Sequence, residues 1–400
     1  WSIHELDMGP LAVATGAHYV PLRHIDRVLD CVREAFHVAR TQRRPVVLGV
    51  PMDLQQQIFP YLPDYKPSTD LGPTPQRPHP DPELVDQVVE MIAAAKKPII
   101  IGGRGAVRSG AGPSLEALAE QCGALLATSL PAKGLFDHNP FGIGIAGAFA
   151  GNLARELFAE SDLVIGAAVG LGNYTTESGY LYPNARVVQV DTNPRGLWQG
   201  LRVADLHIRA DAKATADAIL AKLRERRISA SGMRTESLAL RIANEVADPR
   251  EYPVAPNTVD PRTALLELDR VVPKDWDIVV GNGHFTNFVL THMRDRAPDR
   301  WHVINDFGAI GSGLGAGIGV AVTRNNGKVL LIEGDGSLLM HIQELETIKR
   351  HGVQLLMCIL NDGAYGAEAH KFRAQKMDAK ESIHGRGDLG RPVGPSSVHW

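Results

Sequence analysis

The 400 residues are 44% hydrophobic and 22% charged, with a formal net charge of -3. That balance excludes an overall disordered or collagen-like chain and offers no global attraction to nucleic acid or an anionic membrane surface. The length suits two or three domains of roughly 150 residues. The apolar runs are too short or too rich in glycine to span a bilayer, no signal pattern opens the chain, and Cys31, Cys122 and Cys358 lie far apart without metal-ligand spacing. A reduced, cytoplasmic protein acting on small molecules or on other subunits is expected.

The chain starts at Trp1 with no obvious helix or strand start, which suggests a fragment. A helix is predicted over 25–42, followed by the strand "PVVLGV" and "PMDL", the tail of an α/β unit. Residues 57–80 carry Pro60, Pro63, Pro67, Pro73, Pro75, Pro78 and Pro80, too many for a helix or a central strand, and read as an extended linker. From 81 to 228 helices alternate with "PIIIGG", "ALLATS", "LVIGAAVG" and "ARVVQVDTN", a pattern that predicts a parallel sheet covered by helices. A connecting segment at 229–257, with Pro249, Pro253 and Pro256, marks a second boundary. From 258 to 400 the α/β pattern returns with "DIVVGNG", "WHVIND", "KVLLIEGDG" and "QLLMCILND", whose strands end in Gly, Asp or Asn.

In open α/β sheets ligands bind beyond the carboxyl ends of the strands, which is where those endings fall. The apolar spacing of Leu338, Leu339, Ile342, Leu345 and Ile348 predicts one helix after Asp335, with Lys349 and Arg350 in its last turn and Gly352 as its stop. Gly336 and Ser337 then sit at a helix N-terminus, which favours a phosphate. Asp335 beside a phosphate calls for an intervening cation, and Mg²⁺ takes one or two carboxylates plus phosphate oxygens and water. One helix and one return strand bring Asn361 and Asp362 back to the same edge, so Asp335 and Asp362 can clamp one Mg-diphosphate. Taken singly, each of these residues equally suits the capping of a turn.

Gly334-Asp335-Gly336-Ser337 followed by Asn361-Asp362 resembles the thiamine diphosphate signature of the enzyme family that contains acetolactate synthase, pyruvate oxidase and benzoylformate decarboxylase. Asp362 stands where the family pattern has Asn, which keeps an oxygen ligand and adds a charge. "NDFGAIGSGLGAGIGVAV" resembles the family segment that runs under the cofactor, with Gly308 and Ala309 beside it and Ile310 matching the residue that bends it. "VVGNGHFTNF" resembles the stretch that meets the diphosphate, which makes Asn282, Gly283 and His284 candidates. The same match has Ala364 offering Mg²⁺ a main-chain carbonyl and Tyr365 and Gly366 lining the cofactor cleft. A packing aromatic is the alternative for Tyr365, and a loop histidine bonded to backbone the alternative for His284.

The resemblance implies α/β doubly wound parallel-sheet domains in series. Residues 1–56 would be the end of a pyrimidine-binding domain, 81–228 a Rossmann-like middle domain, and 258–400 a diphosphate- and Mg-binding domain incomplete at its C-terminus. It also implies a homodimer or homotetramer with the site at a subunit interface. The glutamate that activates the cofactor would precede Trp1, so no catalytic residue is assigned, and the chain alone is expected to be inactive. The turn from Gly102 to Gly105 resembles one that holds FAD in some relatives, with a purely structural turn as the alternative. Asp191 either caps its own turn or approaches an adenosine. Glu368, His370 and Lys371 could face substrate or form a solvated helix face. The first functional expectation is acetolactate synthase-like carboligation of a 2-keto acid, followed by 2-keto acid decarboxylation or 1,2-diketone hydrolysis. A flavin or nicotinamide oxidoreductase and a noncatalytic remnant are the alternatives from other classes.

Overall fold

The computed structural model describes residues 6–58, 64–72, 76–193, 204–246, 248–305, 307–383, 386–387 and 391–392. Pro60, Pro63, Pro73 and Pro75 of the proline-rich stretch, Asp306, and most of the tail from 384 lie outside them. The chain divides into two compact units, 1–76 and 77–400.

The first unit is a βαβ element. Strands β1 (His18–Pro21) and β2 (Val46–Gly49) pair in parallel from His18 opposite Val46 to Pro21 opposite Gly49. The helix Val28–Gln42 joins them after a 3-10 turn over Ile25–Arg27, the two together spanning the single helix expected over 25–42. Two expectations fail in this unit. The chain start does hold elements, because Asp7 accepts the Gly9 amide (3.2 Å) and caps the helix Met8–Ala14, which leads into β1. Pro10 sits in the first turn of this helix, where its missing amide costs nothing. The proline-rich stretch also holds a one-turn helix, Ser68–Leu71, after Pro67, and Arg33 and Arg40 tie it to the long helix through Lys66 O (2.9 Å) and Ser68 Oγ (3.1 Å).

The second unit carries two parallel sheets. Strands β3 (Pro98–Gly102), β4 (Leu125–Thr128), β5 (Gly142–Ile145), β6 (Leu163–Ala167), β7 (Arg186–Val190) and β8 (Leu206–Ile208) form one in the order β5-β4-β3-β6-β7-β8. Every residue of β3 and of β6 is buried, which explains their unbroken apolar runs. Helices Pro82–Ala94, Gly112–Cys122 and Ala212–Glu225 pack Val88, Leu118 and Leu223 on one face. Asn152–Ala159 and Glu236–Ala243 pack Leu157 and Ile242 on the other. The sheet is thus doubly wound. Asp81 and Asp211 cap their helices through the amides of Glu83 (2.8 Å) and Ala214 (3.0 Å). Strands β5 and β8 escaped the sequence, the first because its residues alternate with glycine and the second because it has three residues.

The other sheet holds β9 (Asp277–Val280), β10 (Trp301–Val303), β11 (Val329–Gly334) and β12 (Leu356–Leu360), all parallel, in the order β10-β9-β11-β12. Pro261–Val271 and Phe285–His292 cover one face through Leu265, Phe288 and Val289. Ser312–Arg324 and Glu344–His351 cover the other through Leu314, Leu345 and Ile348. The single helix predicted after Asp335 is in fact two, Asp335–Met340 and Glu344–His351. Between them the amides of His341, Glu344, Leu345 and Glu346 bond three residues back, a tighter winding that apolar spacing does not distinguish from an α-helix. Gly352 is the left-handed stop of the second helix (φ 60°). At the amino edge of this sheet the buried Asp277 accepts from His302 (2.7 Å), Arg300 (3.0 Å) and Arg324 (3.0 Å). Burial opposes its charge, but the three hydrogen bonds outweigh it and hold the carboxyl below its usual range. Among the described residues no helix is long and apolar enough to cross a membrane.

Candidate active site

Numbered within its own domain, the order β10-β9-β11-β12 becomes 2-1-3-4, so the winding reverses between β9 and β11, and the crevice beyond such a reversal is where ligands bind. A cavity of about 610 Å³ opens there. Its wall contains eleven of the thirteen candidate residues: Asn282, Gly283, His284, Ile310, Asp335, Gly336, Ser337, Asp362, Ala364, Tyr365 and Gly366. Gly308 and Ala309 are not part of the wall. A Cβ on Gly308 would lie 3.4 Å from the Asn282 amide nitrogen, which puts this glycine beside the wall, in the left-handed region (φ 71°).

Each strand ending is fixed by its own hydrogen bonds. After β9 the Gly281 amide donates to Ile332 O (3.0 Å), while the Thr286 hydroxyl accepts from Gly283 N-H (3.1 Å) and donates to Gly281 O (2.9 Å). This ties the turn to β11. After β11, Ser337 Oγ accepts from the Gly311 amide (2.7 Å), which locks the Asp335 turn to the segment carrying Ile310. After β12, Asp362 Oδ1 accepts from the Ala364 amide (3.1 Å) and Asn361 Oδ1 from the Gly363 amide (3.0 Å). The capping alternative for Asp362 therefore accounts for one carboxylate oxygen. Its other oxygen, Oδ2, lies 3.7 Å from His284 Nδ1. Gly366 is needed at that spot: a Cβ there would be 2.3 Å from Asp362 Oδ2 and 2.8 Å from His284 Nδ1.

The His284 side chain is only 8% exposed and packs edge-on against Phe288 (5.4 Å between centroids) and tilted against His370 (4.8 Å). His370 reaches the site through that ring contact. Glu368 lines the cavity and pairs with the exposed Lys371 (3.1 Å). Beneath the turns lies Glu333, wholly buried, in space left by Gly281 and Gly313, where a Cβ would come within 2.1 Å and 1.8 Å of its oxygens. Burial pushes its carboxyl up, with Ser337 and the Gly334 amide opposing.

Sequence reasoning missed the opposite wall. Residues Tyr252, Pro253, Val254, Ala255 and Asn257 of the supposed connecting segment, and Thr258 just after it, line the cavity. Arg262 anchors this stretch by pairing with Asp260 (2.5 Å) and donating to the carbonyls of Arg250 (2.7 Å) and Asp248 (3.0 Å), while Tyr252 Oη donates to Asp248 (2.9 Å). The signal lay in the clustering of Asp248, Arg250, Asp260 and Arg262 around the prolines, which free linkers do not need.

Among the described residues no three His, Cys, Asp or Glu side chains converge as a metal cluster. Two carboxylates and one carbonyl on a cavity are nevertheless a donor set suited to a hard cation that shares phosphate oxygens and water. The middle sheet treats its expected turn differently. Gly103 and Gly105 pack against Ala168, since a Cβ on Gly103 would lie 2.0 Å from the Ala168 carbonyl oxygen and one on Gly105 2.6 Å from its Cβ. Asp191 caps its own turn through the Asn193 amide (2.8 Å).

Two family models match the chain: "Thiamine pyrophosphate enzyme, central domain" over residues 85–219, and "Thiamine pyrophosphate enzyme, C-terminal TPP binding domain" over 281–395. An acetolactate synthase of Mycobacterium bovis is 27% identical, over 91% of this chain and 59% of its own length, so the chain spans about three fifths of that relative. One of Arthrospira platensis is 26% identical, over 98% of this chain and 68% of its own. The solved structure of benzoylformate decarboxylase from Polynucleobacter necessarius shares the fold, with a TM-score of 0.69 and 20% identity over 93% of this chain and 68% of that one.

Proposed function

Because the chain belongs to the thiamine pyrophosphate-dependent enzymes, matched over its central and C-terminal domains, we propose that the cavity beyond β9, β11 and β12 binds thiamine diphosphate with Mg²⁺. The observation that carries this reading is the presence of Asp335, Asp362 and Ala364 on one cavity with Gly283, His284 and Gly336. Asp335, Asp362 and the Ala364 carbonyl would hold the cation. The backbone at Gly283 and Gly336 would meet the diphosphate, and Ile310 would support the bend between the cofactor's rings. When bound, the cofactor supplies an electron sink next to a carbonyl. Asn282 and His284 orient the bound group, and the wall from Tyr252 to Thr258 shields it from water.

For the whole protein we place the reaction in C-C bond making or breaking beside a carbonyl. Carboligation of a 2-keto acid comes first, in line with the acetolactate synthase relatives. A second copy of the chain would complete the assembly. Supporting this, Phe307 (103% exposed), Val322 (60%) and Leu339 (54%) leave apolar surface uncovered around Ser312–Arg324. Sedimentation analysis should find a dimer or larger species. The three free cysteines suit a cytoplasmic location.

The deciding measurement is calorimetric titration of the protein with thiamine diphosphate, with and without Mg²⁺. Binding should require Mg²⁺, and Asp335→Ala should weaken it by about 100-fold, equivalent to roughly 2.7 kcal/mol. Equal affinity in the variant would remove the cation from the reading. Product analysis with pyruvate then separates carboligation from decarboxylation.

A further inference from the structure

Where the middle sheet's loops meet the helix Phe285–His292 and strand β10, a second pocket of about 50 Å³ is lined by Lys133, Asp137, Glu245, Thr291 and Arg294, among others. Lys133 is 95% buried by its 5% exposure, yet among the described residues no carboxylate reaches ion-pair distance of its ammonium. Its contact is the face of Trp301, 4.6 Å from the ring centroid. The nearby carboxylates are already engaged. Asp137 accepts the Asp295 amide (3.1 Å), and Glu245 accepts the Leu153 amide (3.0 Å) and faces Arg294 (3.7 Å). Asp269 pairs with Arg296 and with Lys274 (2.8 Å).

Among the described residues Lys133 is thus a buried cation at the pocket that no carboxylate pairs with. Trp301 Nε1 and Arg296 Nε, close by but outside the pocket wall, are buried without an acceptor. A buried cation without a carboxylate partner is costly unless an anion answers it.

We propose that this junction binds a small monovalent anion, chloride or a species of carboxylate size, against Lys133, and that the anion fastens the middle domain to the cofactor domain. A water-sized site takes about 10–15 Å³ of such volume, so the pocket has room for chloride with a water, or for formate, and excludes phosphorylated metabolites. Burial lowers the Lys133 pKa, Asp137 and Asp269 opposing and Arg294 and Arg296 reinforcing. A bound anion would oppose that shift and favour the charged amine.

The test is thermal unfolding of the intact chain at fixed pH and ionic strength in chloride, formate or gluconate, the last too large to enter. Chloride or formate should raise Tm by roughly 2 to 4 °C over gluconate in a saturable way, and the anion with the larger shift is the natural occupant. ³⁵Cl NMR should show saturable line broadening. In Lys133→Met both effects should vanish, while its Tm in gluconate equals or exceeds that of the wild type. Should the variant fail to fold, competition between formate and ³⁵Cl for the broadening in the wild type supplies the answer. Identical wild-type Tm values in the three salts with no saturable broadening, or an anion dependence that survives Lys133→Met, overturns the proposal.

Discussion

The two sheets of the larger unit reach the same topological crossing and use it in opposite ways. In the middle sheet the winding reverses between β3 and β6, and the glycine turn after β3 is closed by Ala168, whose carbonyl occupies the place of a Gly103 side chain. In the C-terminal sheet the reversal falls between β9 and β11, and the glycine turns there open onto a 610 Å³ cavity. A glycine after a parallel strand is therefore no ligand signal by itself. What separates the two is whether the residue after the neighbouring strand closes over the turn. Ala168, at φ 50°, folds back over the middle turn, whereas Asp335 starts a helix beside open space.

This contrast makes a double dissociation. Asp335→Ala, in the open turn, should cost about two decades of Mg-dependent cofactor affinity with little change in Tm. Gly103→Ala, in the closed turn, should do the reverse. The added methyl meets backbone that cannot yield, so a loss of about 3 kcal/mol in urea unfolding is expected. Unaltered stability in Gly103→Ala would mean that the middle turn is as open as the other.

Asp277→Asn tests the frame on which the open turn stands. It leaves Arg300 and Arg324 facing a neutral group, with an expected loss of about 2 to 3 kcal/mol near neutral pH. Because the folded-state pKa of Asp277 is depressed, its stabilisation is fully present above the unfolded value near 3.9 and is lost as pH falls through the folded one. Below about pH 4 the stability curves of wild type and variant should converge. The smallest effect is expected of Gly366→Ala. It pushes on Asp362 and His284 side chains rather than on backbone, and should weaken cofactor binding by about tenfold, near 1.4 kcal/mol, with Tm nearly unchanged.

The sequence made the strands with two buried faces legible, because β3, β6, β9 and β11 read as unbroken apolar runs. The candidate site was legible for a related reason: a strand that ends in Gly, Asp or Asn at a sheet's carboxyl edge announces a turn with polar groups. Less was visible where tertiary contacts decide. Residues 252–258 became a cavity wall through Arg262, which links Asp248, Arg250 and Asp260 across residues that local pattern reads as a linker. The closure of the Gly103 turn depends on Ala168, 65 positions away in the chain, and no local pattern carries it.

The break between Asp335–Met340 and Glu344–His351 has a mechanical consequence. A continuous rod would carry any displacement of the Gly334–Ser337 turn straight into Leu345 and Ile348, which are packed against the core. The bend at 341–343 is expected to act as a joint that damps motion of the turn before it reaches Leu345 and Ile348. Amide exchange on a bound ligand should then slow in 335–340 while staying constant in 344–351, leaving the turn free to adjust its grip without loosening the sheet behind it.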